Sequence, residues 1–367
     1  MITAVAHPTA RSSKKRFARI AAAFVAAGAL ALTGCAGQGT TSGETNGEAA
    51  PEELEKMVVV TFLPLESFTF TPEMYAYSGG YFEKHGLDVQ LQPVQGTAAA
   101  IQTILGGAAP ITRASTVDVF PGMEDGQPIV AVGTMARKSN LRVISTEDKP
   151  IESAEDMEGE IIGLGSIGGT SEKMLNFALD DANVPRDSVT RQAVPVTAAT
   201  YEIVKQGTLS GYVVSLDTSL AIAQQNDDAV VSDAGLGDVP DLQTWITTKS
   251  NLEDPERVAQ IEKFLAAIKE ATQAVVDDAE NDFANVLEVL RDSGDWDFPA
   301  LQDDEVAVGA LEVYTSKTWV DESGKVGMLE NDLDAWNAAY ETYTKGGLLD
   351  GSGNPEEWIT SDYLPAD

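Results

Sequence analysis

The period of the apolar positions changes repeatedly along residues 57–248 of the chain. Short β-branched runs, such as residues 58–62, alternate with stretches in which apolar residues recur every three or four positions, such as residues 97–105. The short runs are typical of strands, and the longer period is typical of helices. Strands that alternate with helices predict an α/β fold with mostly parallel sheets covered by helices.

The alternation falls into two series, which predict two lobes. The first series predicts strands at 58–62, 87–91, 110–112 and 129–132, with helices at 72–85 and 97–105. The second predicts strands at 142–145, 161–164, 190–194 and 212–214, with helices at 154–157, 171–182 and 198–205. After a strand at 245–248 the chain is almost wholly helical, and Asp254 followed by Pro255 predicts the start of an amphipathic helix.

The first 34 residues have the pattern of a signal peptide. They contain five basic residues and no acidic one, followed by an apolar run at 20–32, which is shorter than the ~20 residues that span a bilayer. The run ends in Leu-Thr-Gly before Cys35, which resembles the bacterial lipobox. Cys35, the single cysteine of the chain, is therefore the predicted lipidation site, and the alternative is a buried free cysteine. Residues 35–56 are small and polar, then charged, and predict a flexible tether.

The net negative charge of the chain limits the classes of molecule that it can bind. It has 58 acidic and 24 basic residues, and removing the five basic residues of the leader leaves 19. Nucleic acid is excluded as a partner, because phosphate contacts need basic stripes. Such a charge also repels anionic lipid heads, so we expect the chain to be held at the outer face of the cytoplasmic membrane through its lipid anchor.

The histidine count excludes several kinds of catalytic site. There are two histidines, and His7 lies in the leader, which leaves His85. Ser-His-Asp, Cys-His and multi-histidine metal sites are therefore excluded. Acid-only and serine-lysine chemistry stay open. We expect no cofactor, no metal and no enzymatic activity.

Residues 80–89 read Gly-Tyr-Phe-Glu-Lys-His-Gly-Leu-Asp-Val. They resemble the "GyFeeeGLdV" segment of solute-binding proteins for nitrate, sulfonates, taurine and thiamine precursors. Its physical basis is that Gly86 ends a helix in a left-handed cap and Leu87 begins the next strand. Residues 98–107, 153–163 and 207–212 resemble further segments of this family in the same order. The chain departs from the family pattern at residues 109–111 and at Tyr212, so the resemblance does not identify the ligand.

The resemblance implies a type II periplasmic-binding-protein-like fold, with two parallel-sheet lobes, two crossovers near Lys138 and Gln243, and a helical C-terminal tail. Lobe I would take residues 57–138 and 247–367, and lobe II would take residues 139–246. Hinge motion would close the cleft on the ligand. The implied partners are the permease and ATPase subunits of an ABC importer. The expected ligand is a small anion such as a sulfonate, taurine or nitrate, and the alternative is a neutral or aromatic thiamine pyrimidine precursor.

Two features at predicted strand ends suggest an anion site. Arg113 follows the strand at 110–112, where ligands of open α/β sheets bind and a guanidinium can grip a planar anion. Its alternative is a surface ion pair. The start of a predicted helix in lobe II exposes backbone N–H groups that favour anions, at Gly168, Gly169, Thr170 and Ser171. The alternative there is a turn that only caps its own helix.

The same stretch contains a literal G-x-G-x-x-G at residues 163–168, which is also the pattern of a dinucleotide site. The strand that follows ends in Pro195 instead of the acidic residue that a ribose needs. This motif is therefore interpreted as a turn and not as a dinucleotide site.

The remaining candidates lie after other predicted strands. Aromatic and proline residues that would line an apolar wall of the pocket are Phe62, Pro64 and Phe68. Polar candidates at strand ends are Ser115, Ser215 and Asp217. Asp217 would pair with a ligand amine or cap the helix at Ser219. Four tryptophans of the helical tail are expected to serve packing: Trp296, Trp319, Trp336 and Trp358.

Two other functions stay open from the sequence. One is an enzyme of the same fold, although the cysteine- and histidine-bearing segment of the eukaryotic enzymes that build the thiamine pyrimidine is missing here. The other is an adhesion or sensor lipoprotein without a transport role.

Overall fold

A computed structural model describes residues 53–366. The predicted signal peptide, Cys35 and most of the predicted tether lie outside the described residues. The first strand begins at Glu55, because residues 55–57 already pair with the start of a neighbouring strand.

Five strands form the first sheet. They are β1 (Glu55–Thr61), β2 (Leu87–Pro93), β3 (Ile111–Ser115), β4 (Ile129–Ala136) and β10 (Gln243–Thr248). Their order across the sheet is β2-β1-β3-β10-β4. β10 runs antiparallel to both of its neighbours, and the other four strands are parallel to each other.

The second sheet has the same arrangement. Its strands are β5 (Leu141–Thr146), β6 (Ile161–Leu164), β7 (Thr190–Ala193), β8 (Gly211–Ser215) and β9 (Ala229–Ser232), in the order β7-β6-β8-β5-β9. Here β5 is the antiparallel strand. β5 and β10 are the strands that follow the two crossovers, so each enters its sheet from the side on which the parallel strands end. The described residues up to 138 and from 243 on are called the first lobe below, and residues 139–242 the second lobe.

Twelve α-helices occur in the described residues. They are α1 (Thr71–Ser78), α2 (Tyr81–Lys84), α3 (Thr97–Leu105), α4 (Thr116–Glu124), α5 (Thr170–Asp181), α6 (Tyr201–Lys205), α7 (Leu216–Gln225), α8 (Lys249–Leu252), α9 (Pro255–Asp277), α10 (Ala284–Ser293), α11 (Asp304–Val313) and α12 (Leu333–Lys345). A π-helical turn, Tyr314–Thr318, continues α11. In the part of the chain described, no helix is both long enough and apolar enough to cross a membrane.

The local signals at helix ends explain most of these boundaries. Asp254 accepts a hydrogen bond from Glu256 N at 3.0 Å, so α9 begins as predicted. Gly86 has φ +80° and ends the α2 region as predicted. The single helix expected at 72–85 is two helices, because Gly80 adopts φ +76° between them. The predicted lobe boundary at residue 247 falls within β10, which belongs to the first sheet from Gln243 on.

The apolar core is continuous between the lobes. The buried face of α9 packs against the first sheet through Ile261, Phe264, Leu265 and Ile268. Leu216 and Ala221 of α7, in the second lobe, belong to the same buried cluster. The lobes are therefore in contact over apolar surface as well as through the polar groups described next.

Candidate functional site

Arg113 lies inside β3. The prediction that it follows the strand is therefore wrong. The residue is 2% exposed, and its Nη1 lies 3.1 Å from Oε1 of Glu73, which is 1% exposed. Nη1 also donates to the carbonyl oxygen of Thr69 at 3.0 Å. Arg113 is therefore not part of a surface ion pair, and its charge is not free to bind an anion, because a buried carboxylate balances it inside the protein.

Two phenylalanine rings flank the guanidinium of Arg113. Its Cζ lies 4.7 Å from the ring centroid of Phe70 and 5.8 Å from that of Phe62, which is the range of a cation–π contact. Burial raises the pKa of Glu73, and the neighbouring guanidinium offsets part of that rise. Nε and Nη2 of Arg113 are buried and have no hydrogen-bond partner among the described residues. Such donors are uncommon in protein interiors.

Asp217 connects the second lobe to the first. It lies in the first turn of α7, and its Oδ1 accepts hydrogen bonds from Ser67 Oγ at 2.8 Å and Tyr314 OH at 3.3 Å. Its Oδ2 accepts from Phe68 N at 3.4 Å. The suggested cap for a helix at residue 219 is wrong, because α7 begins at Leu216 and its cap position is Ser215.

Burial raises the pKa of Asp217, and the hydrogen bond from Ser67 opposes that rise. Tyr314 also accepts a hydrogen bond from Asn140 Nδ2 at 2.9 Å. Asn140 belongs to the first crossover, so the polar groups around Asp217 lie next to this crossover. Ser215 Oγ lies 2.9 Å from Thr218 Oγ1 within its own lobe, and its hydroxyl also lowers the pKa of Asp217.

A second carboxylate, Asp118 of α4, joins the lobes at the start of α5. Its Oδ1 accepts a hydrogen bond from Lys173 Nζ at 2.6 Å, and its Oδ2 accepts one from Thr170 Oγ1. The amide of Gly168 donates to the carboxylate of Glu172. The anions at the start of α5 are thus the protein's own carboxylates. The cap position is Gly169, without a side-chain cap, and Ser171 is the second residue of the helix.

Ser115 is the N-cap of α4, because its Oγ accepts a hydrogen bond from Val117 N at 3.3 Å. Its hydroxyl donates to Asp241 Oδ1 next to the second crossover. The pKa of Asp241 is raised to about 6, chiefly by burial, with a smaller rise from the nearby charge of Asp118 and an opposing effect of the hydrogen bond from Ser115. A buried acid that titrates near neutral pH therefore lies beside the cross-lobe carboxylate Asp118.

The first glycine of the motif at 163–168, Gly163, has a packing role. A Cβ on Gly163 would lie 2.7 Å from Cβ of Tyr212 and 2.8 Å from Cγ2 of Val194. A glycine is thus required at position 163, because the side chains of Tyr212 and Val194 occupy the space that a side chain there would need. Gly163 itself lies inside β6, and residues 165–168 of the motif form the turn that follows the strand.

The structure brings several predicted residues together. Phe68 meets Asp217 where the two lobes are in contact, and Phe62 lies beside Arg113 within the first lobe. Tyr314, which bonds to Asp217 and lies near Arg113, connects the two groups. Pro64 does not join them, because it lines a separate cavity on the first lobe. Glu73 and Tyr314 were not predicted from the sequence, because they lie in helical segments without a motif and their partners lie at least 40 residues away in the chain.

Arg142 was also missed, although it lies near the cleft. It is the second residue of β5 and pairs in register with Val214, next to the pair of Leu141 with Ser215. Its Nη1 donates to the carbonyl oxygen of Leu141 at 2.7 Å. Among the described residues no carboxylate forms an ion pair with it, so it differs from Arg113 and Lys173.

Two sheets of this topology, joined by two crossovers with a polar cleft between them, define the periplasmic-binding-protein-like fold. A family model described as NMT1/THI5 like matches residues 67–281. The chain therefore belongs to this family, as its resemblance to sulfonate- and thiamine-precursor-binding proteins had indicated.

Individual relatives are more distant. The formylaminopyrimidine-binding protein of Halalkalibacterium halodurans is 28% identical over 125 residues, or 34% of this chain and 37% of that protein. The chain thus spans little more than a third of the length of this relative. The periplasmic aliphatic sulphonate binding protein SsuA from Escherichia coli has a TM-score of 0.62 at 13% identity, covering 83% of this chain and 97% of its own.

The fold also occurs in an enzyme. The desulfurization enzyme DSZB has a TM-score of 0.54 at 11% identity, covering 84% of this chain and 97% of its own. At these identities the structural likeness shows the fold alone, and function has to be argued from the site.

Proposed function

We propose that this chain is the substrate-binding subunit of an ABC importer, anchored through lipidated Cys35 to the outer face of the cytoplasmic membrane. It takes up a small solute between its lobes and delivers it to the permease. The observation that carries this proposal is that one carboxylate from each lobe, the buried Asp217 and the partly buried Asp118, bonds to the other lobe. Such bonds can break and re-form as the lobes open and close.

The ligand that the geometry favours is neutral and aromatic, such as a pyrimidine precursor of thiamine. The charge of Arg113 is matched by Glu73, and that of Lys173 is matched by Asp118. A sulfonate would have to displace one of these carboxylates, which costs more than binding at an unpaired cation. The unsatisfied donors of Arg113 suit an uncharged acceptor, such as a ring nitrogen or a carbonyl oxygen, beside the rings of Phe62 and Phe70. The name of the Halalkalibacterium halodurans relative agrees with this choice.

A small anion such as a sulfonate, taurine or nitrate is the second candidate. The observation that favours it is Arg142, which lies at the cleft side of β5 without a carboxylate partner among the described residues. In this case Arg142, and not Arg113, would hold the anion.

A thermal-shift and calorimetric comparison separates the two. The probes are 4-amino-5-hydroxymethyl-2-methylpyrimidine, ethanesulfonate, taurine and nitrate, tested on the wild type and on Arg142→Gln, with the exposed Lys325→Gln as a control of equal charge change. A ligand at a hundredfold excess over its Kd stabilises the folded protein by about 2.7 kcal/mol. We expect the pyrimidine to stabilise all three proteins equally.

Stabilisation by a sulfonate that is lost only in Arg142→Gln would establish the anion instead. If no probe binds but one is chemically converted, the protein is an enzyme of this fold. If the protein binds its solute but a strain without it imports that solute normally, a sensor or adhesion role replaces transport.

A further inference from the structure

A cavity of about 460 Å³ opens on the first lobe, beside the loop that follows β1. Two aromatic residues, Tyr77 and Trp296, line it together with three carboxylates, Glu66, Asp295 and Asp297. All of its lining residues belong to the first lobe. This cavity is therefore distinct from the region between the lobes around Asp217 and Arg113.

The two aromatic rings are held at a right angle. Their centroids lie 5.8 Å apart with an interplanar angle of 77°. Trp296 Nε1 donates a 2.8 Å hydrogen bond to Ser78 Oγ, which fixes the indole. The sequence analysis expected the tryptophans of the tail to be packing residues, and Trp319 and Trp336 are indeed buried. Trp296 is only half-buried and Tyr77 is 38% exposed, so both rings remain accessible.

The three carboxylates of the cavity lack counter-charges. Within residues 53–366, none of them forms an ion pair or accepts a side-chain hydrogen bond, and no basic residue lines the cavity. By contrast, Asp118, which lines a second cavity, is paired with Lys173 of the same cavity. Negative charges that share a concave surface concentrate a field that attracts cations.

We propose that this cavity binds a small organic cation, namely a quaternary or protonated ammonium group with apolar substituents. The ring faces of Tyr77 and Trp296 attract such a group through cation–π interaction, and the carboxylates balance its charge. The volume of 460 Å³ lies within the ~300–1,000 Å³ of small-molecule sites. A bare metal ion would gain nothing from the rings, and an anion would be repelled.

The test is calorimetric titration of the protein with choline and with 3,3-dimethylbutan-1-ol, its neutral isostere. We expect choline to bind at least tenfold more tightly than the alcohol. The double substitution Asp295→Asn/Asp297→Asn should weaken choline binding about tenfold, and Tyr77→Leu should weaken it by a similar factor. The control is Glu288→Gln/Asp292→Asn, which removes the same charge from exposed positions of the adjacent α10 and should leave binding unchanged.

Three results would overturn the proposal. The first is equal binding, or no binding, of choline and the alcohol. The second is an equal loss in the control variant, which would mean that only the overall charge of the protein acts. The third is binding of another kind of cation in place of choline. Competition by calcium at the same concentration as choline would make the cavity a site for metal ions, and binding of an oligolysine peptide but not of choline would make it a site for a basic protein segment. Binding of the cleft ligand should be unchanged in Asp295→Asn/Asp297→Asn, so the outcome does not depend on the proposed function.

Discussion

Ser67 of the first lobe donates a 2.8 Å hydrogen bond to Oδ1 of Asp217 in the second lobe, across 150 residues of sequence. Tyr314 OH shares the same oxygen at 3.3 Å. All the groups involved are buried or partly buried, so breaking this contact leaves several polar atoms without hydrogen-bond partners. It is one of the polar contacts that join the lobes through a carboxylate, as is that of Asp118 with Lys173 and Thr170.

Removing the Asp217 carboxylate should destabilise the folded protein. In Asp217→Ala, the Ser67 and Tyr314 hydroxyls lose their acceptor, and an unsatisfied buried group costs about 1–3 kcal/mol. Urea unfolding measures the change. Asp227→Ala, at an exposed position just beyond α7, is the control and should stay within about 0.5 kcal/mol of the wild type. A loss in Asp217→Ala no larger than in the control would show that the cross-lobe contact carries no energy.

The buried pair of Arg113 and Glu73 should show strong coupling. Removal of one partner of a buried ion pair leaves an uncompensated charge and typically costs about 3–5 kcal/mol, whereas replacing both by apolar residues is far milder. We expect Arg113→Met to be severely destabilised, and Arg113→Met/Glu73→Leu to be more stable than Arg113→Met alone. A double-mutant cycle in urea measures this coupling. Additive effects of the two substitutions would contradict the pairing.

Local signals in the sequence predicted much of the fold but little of the site. Gly86, Asp254 and the helix at 97–105 were predictable, because glycine conformation, capping and period act within a few residues. The edge strand β9 was missed because its four residues are all half-exposed and show no alternation. Arg113 was recognised as important, but its pairing with Glu73 arises from strand order and helix packing, which a single sequence does not reveal.

The pH dependence of stability should carry a signature of Asp241. Its pKa is about 6 in the folded protein, against an ordinary value of 3.8. The unfolded chain thus loses this proton at lower pH than the folded chain does. The carboxyl therefore destabilises the fold progressively as the pH rises from about 4 to about 7, by up to about 3 kcal/mol at 1.36 kcal/mol per pKa unit.

Asp241→Asn should remove this penalty. Relative to the wild type, the variant should gain stability at pH 7 and show no gain near pH 4, as measured by urea unfolding across that range. The hydrogen bond from Ser115 reduces the gain, since an amide oxygen is a weaker acceptor than a carboxylate. A difference that does not change with pH would refute the raised pKa.

The proposed lipid anchor at Cys35 predicts that its removal changes where the protein is found. Replacing Cys35 with Ala should leave the chain uncleaved or release it from membranes, because the predicted acyl attachment is lost. Detergent partitioning and mass spectrometry of the first mature residue measure this. Unmodified Cys35 in mature wild-type protein would contradict the anchor.

Gly163 in β6 and Gly165 in the turn that follows it offer a matched comparison of packing with ligand binding. A Cβ on Gly163 would lie 2.7 Å from Cβ of Tyr212, which is closer than side chains tolerate, whereas a Cβ on Gly165 would lie 3.5 Å from Cγ1 of Val196, an ordinary contact. Overpacking of this kind costs about 1–3 kcal/mol. Gly163→Ala should therefore be destabilised by that amount in urea, and Gly165→Ala should stay within about 0.5 kcal/mol of the wild type.

A dinucleotide or phosphate site would give a different pattern, because Gly165→Ala would then abolish binding of the nucleotide without affecting stability. Titration of both variants and the wild type with NAD and with inorganic phosphate decides between the two, and we expect no binding to any of the three proteins.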